Sequence, residues 1–195
     1  MACIACSITW AALAACAQAA GPVIVLIGAP GSGRATQATA LKSERGMAAI
    51  FADELVTNNP KAFEKARNSV IPGFNPLLDP AMNGLVEEAL AGVDLSKGLV
   101  LAGYPASKAQ GDYLTMLREK LNLPAPIIIN LVVPDKEVRK RLTKDKVADI
   151  ESQLENYHRE LDFVRVYFPQ ADIRDVNGDQ KPAKVTAAIG KLLPK

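Results

Sequence analysis

Gly28-Ala29-Pro30-Gly31-Ser32-Gly33 is followed by Arg34, Ala35 and Thr36. This spacing fits the phosphate-loop pattern G-x-x-x-x-G-K-(S/T), with Arg34 at the lysine position. Glycines there let the backbone wrap a phosphate closely, so that successive N–H groups point inward. A helix beginning at the end of the loop adds partial positive charge at the same place. A glycine turn alone is weak evidence, so its context decides: it must leave a strand and open a helix. The competing reading is a turn kept only for structure.

The context is present. Residues 22–27 (PVIVLI) form a short apolar run rich in β-branched residues, as expected of a strand buried on both faces. Residues 35–44, beyond the loop, have helical character. Apolar runs recur at 47–51 (MAAIF), 99–101, 127–133 and, more weakly, 173–176, with helical stretches between them. This alternation predicts an α/β fold, a doubly wound parallel five-stranded sheet with helices on both faces. In Val147 to Phe168 the residues Val147, Ile150, Leu154, Tyr157, Leu161, Val164 and Phe168 recur at steps of three and four, one apolar stripe for packing on the sheet. Residues 183–193 form a second amphipathic segment closed by Pro194. Between the second and third strands, residues 52–97 are broken by Pro60, Pro72, Gly73, Pro76 and Pro80 and read as a small inserted subdomain.

The 195 residues suffice for one domain with a full core. Net charge is +2 with both signs interspersed and aromatics make up 5%, which points away from a nucleic-acid groove or a base-stacking surface. Cys3, Cys6 and Cys16 all lie near the N-terminus, so the folded domain has no disulfide framework and no cysteine-ligated zinc site. Residues 1–20 carry no charged side chain, and Ala17-Gln18-Ala19 has the form of a signal-peptidase site. Leu13-Ala14-Ala15-Cys16 resembles a lipobox, in which lipidation of Cys16 would be the one link to a membrane. The expectation is an exported chain, periplasmic or lipid-anchored, whose domain starts at residue 21. The absence of Lys or Arg before the apolar stretch leaves a loose extension on a cytoplasmic protein as the alternative.

Four segments together resemble the adenylate kinase family of nucleoside monophosphate kinases. Residues 28–38 (GAPGSGRATQA) are similar to its loop G-A-P-G-(S/A)-G-K-G-T-Q-A, and residues 99–106 (LVLAGYPA) to F-L-L-D-G-(F/Y)-P-R. Residues 132–142 (VVPDKEVRKRL) are similar to V-P-D-x-x-x-x-x-R-(I/L), and Val176-Asn177-Gly178 to V-D-G near the C-terminus. The segments follow family order from residue 22 onward. The resemblance implies ATP as the loop's nucleotide, an AMP-like second nucleotide, possible use of magnesium with Thr36 as the metal-side hydroxyl, and a monomer. It also implies that Gln110 reads the AMP base, that Arg141 lies against the ATP base, and that residues 52–97 are the nucleoside-monophosphate-binding insertion.

The match fails where the family handles charge. Arg34 keeps a positive charge but replaces a compact ammonium with a broad planar group. Ala35 adds a methyl where the family has glycine. Ala102 stands for the aspartate that orients magnesium, and Ala106 for the arginine that clamps the AMP phosphate. Ala52 and Thr57 replace a threonine and an arginine of the AMP pocket, Gln153 aligns with a catalytic arginine, and the lid shrinks to about residues 143–146. Lys108, Lys144, Lys146, Arg159 and Arg165 are the cations that could substitute, each read more simply as a solvated surface residue. His158 reads as a surface histidine, and Asp53 with Glu54 as a helix start.

Phosphoryl transfer is positioning plus charge stabilisation, so these losses bear directly on rate. The leading expectation is a nucleotide- or phosphate-binding protein whose ATP-to-AMP transfer is weak or lost, a pseudoenzyme. The alternatives are an active kinase with rearranged residues and a partner-binding structural domain with an empty loop.

Overall fold

A computed structural model of the chain describes residues 20–67, 78–168 and 173–194. Residues 1–19, with the three cysteines, and Pro72, Gly73 and Pro76 of the proposed insertion lie outside the described residues. The apolar runs become strands β1 (Val23–Gly28), β2 (Ala48–Phe51), β3 (Leu99–Ala102), β4 (Ile127–Val132) and β5 (Arg174–Asn177). They pair in the order β2-β3-β1-β4-β5, every pair parallel. The helices are α1 (Arg34–Arg45), α2 (Ala52–Asn58), α3 (Pro60–Arg67), α4 (Leu78–Leu90), α5 (Lys108–Lys120), α6 (Asp135–Lys144), α7 (Ile150–Tyr167) and α8 (Pro182–Leu192). This is the doubly wound α/β sheet read from the sequence.

Strand β1 is central and buried along its whole length, which is why its sequence is uninterrupted by polar residues. Its side chains alternate between two cores. Val23, Val25 and Ile27 join Val86, Leu114, Leu154 and Val164 on one face, while Ile24 and Leu26 join Leu41, Val185 and Ile189 on the other. Helices α4, α5 and α7 therefore cover one side, and α1 and α8 the other.

The stripe on α7 packs as its spacing requires. Leu154, Tyr157, Leu161 and Val164 are buried, with Val147, Ile150 and Phe168 packed at the margin. The helix begins at Ile150, three residues later than the periodicity predicts, because Asp149 is in the left-handed region at φ 54° and cannot continue a helical turn. Helix α6 runs on to Lys144, so only residues 145–149 separate it from α7, where the family's lid would be inserted. No helix among the described residues is long and apolar enough to cross a membrane.

One buried polar residue ties the layers together. Asn130, 1% exposed on β4, donates through Nδ2 to Asp175 on β5 at 2.9 Å and accepts from the Tyr157 hydroxyl of α7 at 3.1 Å. Asn130→Leu leaves that hydroxyl without its acceptor and is expected to lower the unfolding free energy by about 1–3 kcal/mol in a urea titration. A change within about 0.5 kcal/mol would mean that the hydroxyl finds another partner.

Candidate functional site

The loop leaves the C-terminal end of β1 and enters α1, the place where a parallel sheet binds its ligands. Gly31 and Gly33 have φ of 76° and 98°, the left-handed region that favours glycine. Ser32 N–H closes a tight turn on the Ala29 carbonyl at 2.9 Å. Gly33 caps α1 with no side-chain bond to the helix end, and the first turn of α1 contains no acidic residue. The first N–H groups of a twelve-residue helix are thus left for a ligand.

A cavity of about 460 Å³ opens on the loop. Ala29, Pro30, Gly31, Gly33, Arg34, Ala35 and Thr36 line it, together with Asp53 from α2 and Gln153 from α7. Gly28 and Ser32 are buried and do not line it, and the Ser32 hydroxyl has no hydrogen-bond partner among the described residues. A Cβ placed on Gly33 would meet nothing within 4 Å, so space stands open over the N-terminus of α1.

Arg34 is the central charge. Its guanidinium rests on Gly103 just past β3, where a Cβ would stand 3.3 Å from Nη1. From there Nη2 is 3.5 Å from the Asp53 carboxylate and Nη1 is 3.6 Å from that of Glu160 on α7. These are ion pairs at the loose end of contact, longer than a well-formed charged hydrogen bond. The Glu160 side chain is 12% exposed, whereas that of Asp53 is 88% exposed. Burial pushes the Glu160 carboxyl up to about 7; the Arg34 cation opposes that rise and the Asp53 carboxylate adds to it.

Glu160 escaped the sequence reading, although a signal was there. It lies seven residues after Gln153, two helical turns, so both face the loop beside the apolar stripe. Asp53 opens α2, as its helix-start reading required, and additionally faces Arg34.

The other singled-out residues divide clearly. Arg141 meets the outside of the loop: Nη1 donates to the Gly31 carbonyl at 2.9 Å and Nη2 to Asp179 at 2.6 Å. Gln110 does not line the cavity. It is buried, with Nε2 donating to Asp79 at 2.8 Å and Oε1 accepting from the Ala106 N–H at 2.8 Å, so both ends of its amide are engaged within the protein. Gln37, kept in the loop motif, is also internal, donating to the Pro182 carbonyl and accepting from the Thr186 hydroxyl. Gln153 borders the cavity and donates to the Ala148 carbonyl at 3.0 Å. Lys108 pairs with Asp112 at 2.8 Å, and Arg159 bonds Asn156 at 2.6 Å. His158 is half exposed beside Asp135.

The open cradle, left-handed glycines and uncapped helix fit the phosphates of a nucleotide. They do not fit a resident magnesium ion. Thr36 offers a hydroxyl, but Ala102 has no carboxylate, and the one carboxylate lining the cavity among the described residues, Asp53, faces Arg34. Among the described residues no group of three or more His, Cys, Asp or Glu side chains could hold a metal.

Comparison with known proteins agrees with this geometry. A family model described as adenylate kinase matches residues 26–173. An adenylate kinase of Micrococcus luteus is 30% identical over 181 residues, covering 85% of this chain and 87% of the relative. One of Fusobacterium nucleatum is 27% identical over 209 residues, covering 87% and 97%. One of Stenotrophomonas maltophilia is 32% identical over 128 residues, covering 64% and 66%. Matched through both the loop and the strands that carry it, the chain belongs to the adenylate kinase family and so to the nucleotide-binding, kinase-like proteins.

Proposed function

We propose that this protein binds the phosphates of ATP or a similar nucleotide at the Gly28–Thr36 loop and transfers a phosphoryl group weakly or not at all. The observation that carries the reading is the charge inventory of the cavity. Among the described residues its lining has one cation, Arg34, which already faces Asp53 and Glu160. Ala102, Ala106 and Gln153 stand where the resemblance calls for an aspartate and two arginines. Binding draws on backbone N–H groups and a helix end, which these substitutions leave in place. Catalysis draws on side-chain charge, which they remove.

Residues 52–97 are read as the insertion that would receive an AMP-like nucleotide, with its phosphate-clamping side chains replaced. Magnesium would arrive with the nucleotide, held by phosphates, water and the Thr36 hydroxyl.

Calorimetric titration with ATP, ADP and AMP tests the reading, with Gly33→Val as its control. An added Cβ meets nothing within 4 Å, so the cost to the fold is expected to come from the disfavoured φ, at least about 1–2 kcal/mol for a β-branched residue. The loop, however, relaxes away from its cradle, and ATP affinity is expected to fall at least ~10-fold, the equivalent of about 1.4 kcal/mol. No ATP binding by the native chain, or equal binding by the variant, would overturn the proposal.

A further inference from the structure

The buried acid beside the loop, one of the charges facing Arg34, has a further consequence for binding. Glu160 projects from α7 toward Arg34, the only cation lining the cavity among the described residues, in company with Asp53 from α2. An anion entering the cradle therefore meets a cation already held by two carboxylates.

We propose that Glu160 sets the affinity of the loop for its anion: it competes with the incoming phosphate for Arg34, and phosphate binding is coupled to uptake of one proton by Glu160. The proposal rests on the nucleotide-binding reading and deepens it by naming what regulates that site. The proton comes from solvent and ends on a Glu160 carboxylate oxygen, and no other bond is made or broken. Arg34 then turns from Glu160 to the phosphate.

Three observations support the coupling. The pair distances of 3.5 and 3.6 Å are those of an ion pair that a tighter anion can displace. The Glu160 side chain is 12% exposed, so once Arg34 leaves, its charge would be stranded in a poorly solvated place. Its carboxyl already titrates at about 7, raised by burial, and a neighbouring phosphate raises it further. The charges acting on it from other elements are Arg34 of α1 and Asp53 of α2, with the Tyr157 hydroxyl nearby on its own helix. On the neighbouring α5 and α6, Lys108 pairs with Asp112, Asp135 lies against His158, and Arg139 pairs with Glu151.

The sign follows from which form binds. Protonated Glu160 frees Arg34 and removes a repelling charge, so affinity is greatest at low pH and falls as pH rises through about 7. One linked proton limits the fall to ~10-fold per pH unit.

The test is calorimetric titration of ATP, without magnesium, into the native chain and Glu160→Gln at pH 6 and pH 8. The ratio of the two proteins at each pH cancels the titration of ATP itself. The expected result is that Glu160→Gln binds at least ~5-fold more tightly than the native chain at pH 8, with the advantage shrinking toward pH 6. At pH 7, native titrations in two buffers of different ionisation enthalpy should give net proton uptake exceeding that of the variant. Should Glu160→Gln fail to fold, Glu160→Ala replaces it in the same titrations, and proton uptake by the native chain is read against that of free ATP. Native affinity that follows only ATP's own titration, or a variant that binds no better at pH 8, would overturn the role of Glu160 while leaving nucleotide binding intact. No binding by either protein at either pH would overturn nucleotide binding itself.

Discussion

Arg34→Lys, Ala102→Asp, Ala106→Arg and Gln153→Arg combined are expected to raise ADP formation from ATP and AMP at least ~10²-fold over the native chain in a coupled assay. Each restores a group that the family resemblance places on the moving phosphoryl, its magnesium or the accepting AMP phosphate. Loss of one preorganised donor of this kind costs ~10²–10³ in rate, and losses within one constellation do not multiply. On the proposed reading, the expected native deficit is on the order of 10⁴-fold or more. Position 153 should contribute strongly, since Gln153 already borders the cavity and a longer cationic side chain would point into it. Position 34 acts differently. A shorter ammonium gives up the bridge to Asp53 and Glu160 and leaves the cation for the ligand. Native turnover near ~1 s⁻¹ or above, within the ordinary enzyme range, would sink the pseudoenzyme reading. An unchanged rate in the combined variant would show that restoring charge is insufficient where only residues 145–149 stand in for a lid that excludes water.

Ile27→Ala is expected to cost about 2–5 kcal/mol of stability, measured by urea titration with an unchanged denaturant slope. Ile27 is fully buried, pairs in register with Asn130, and projects into the core formed with α4, α5 and α7. It is also the last apolar residue before the Gly28–Thr36 loop, so the void left by its truncation adjoins that loop. Against a total of about 5–15 kcal/mol, a loss of this size would bring the protein close to unfolding. A change below about 1 kcal/mol would mean that the core collapses around the missing atoms.

Much of this architecture is legible in the chain because its causes are local. The run at 22–27 has no polar residue, as only a strand covered on both faces allows, and β1 is buried throughout. The stripe on α7 follows from helical periodicity, and its one misreading, the start at Val147, comes from a left-handed Asp149 that a residue of ordinary type does not announce. The loop is legible for the same reason: its glycines are needed for backbone angles within a few residues.

What the chain did not announce are relations between distant residues. The family resemblance implies that Gln110 reads the AMP base; only the fold shows that its amide bonds Asp79 and the Ala106 N–H. Glu160 looks like one more charge on an amphipathic helix until packing places it over Arg34, 126 positions away in the numbering and 3.6 Å away in space. By itself, then, the amino-acid order determined the strands, the glycine cradle and the loss of the family's charged groups, since each depends on residue type and near neighbours. Only the tertiary structure decided which charges meet and which are withdrawn from water, because Coulomb attraction and desolvation depend on distance and burial in the folded chain.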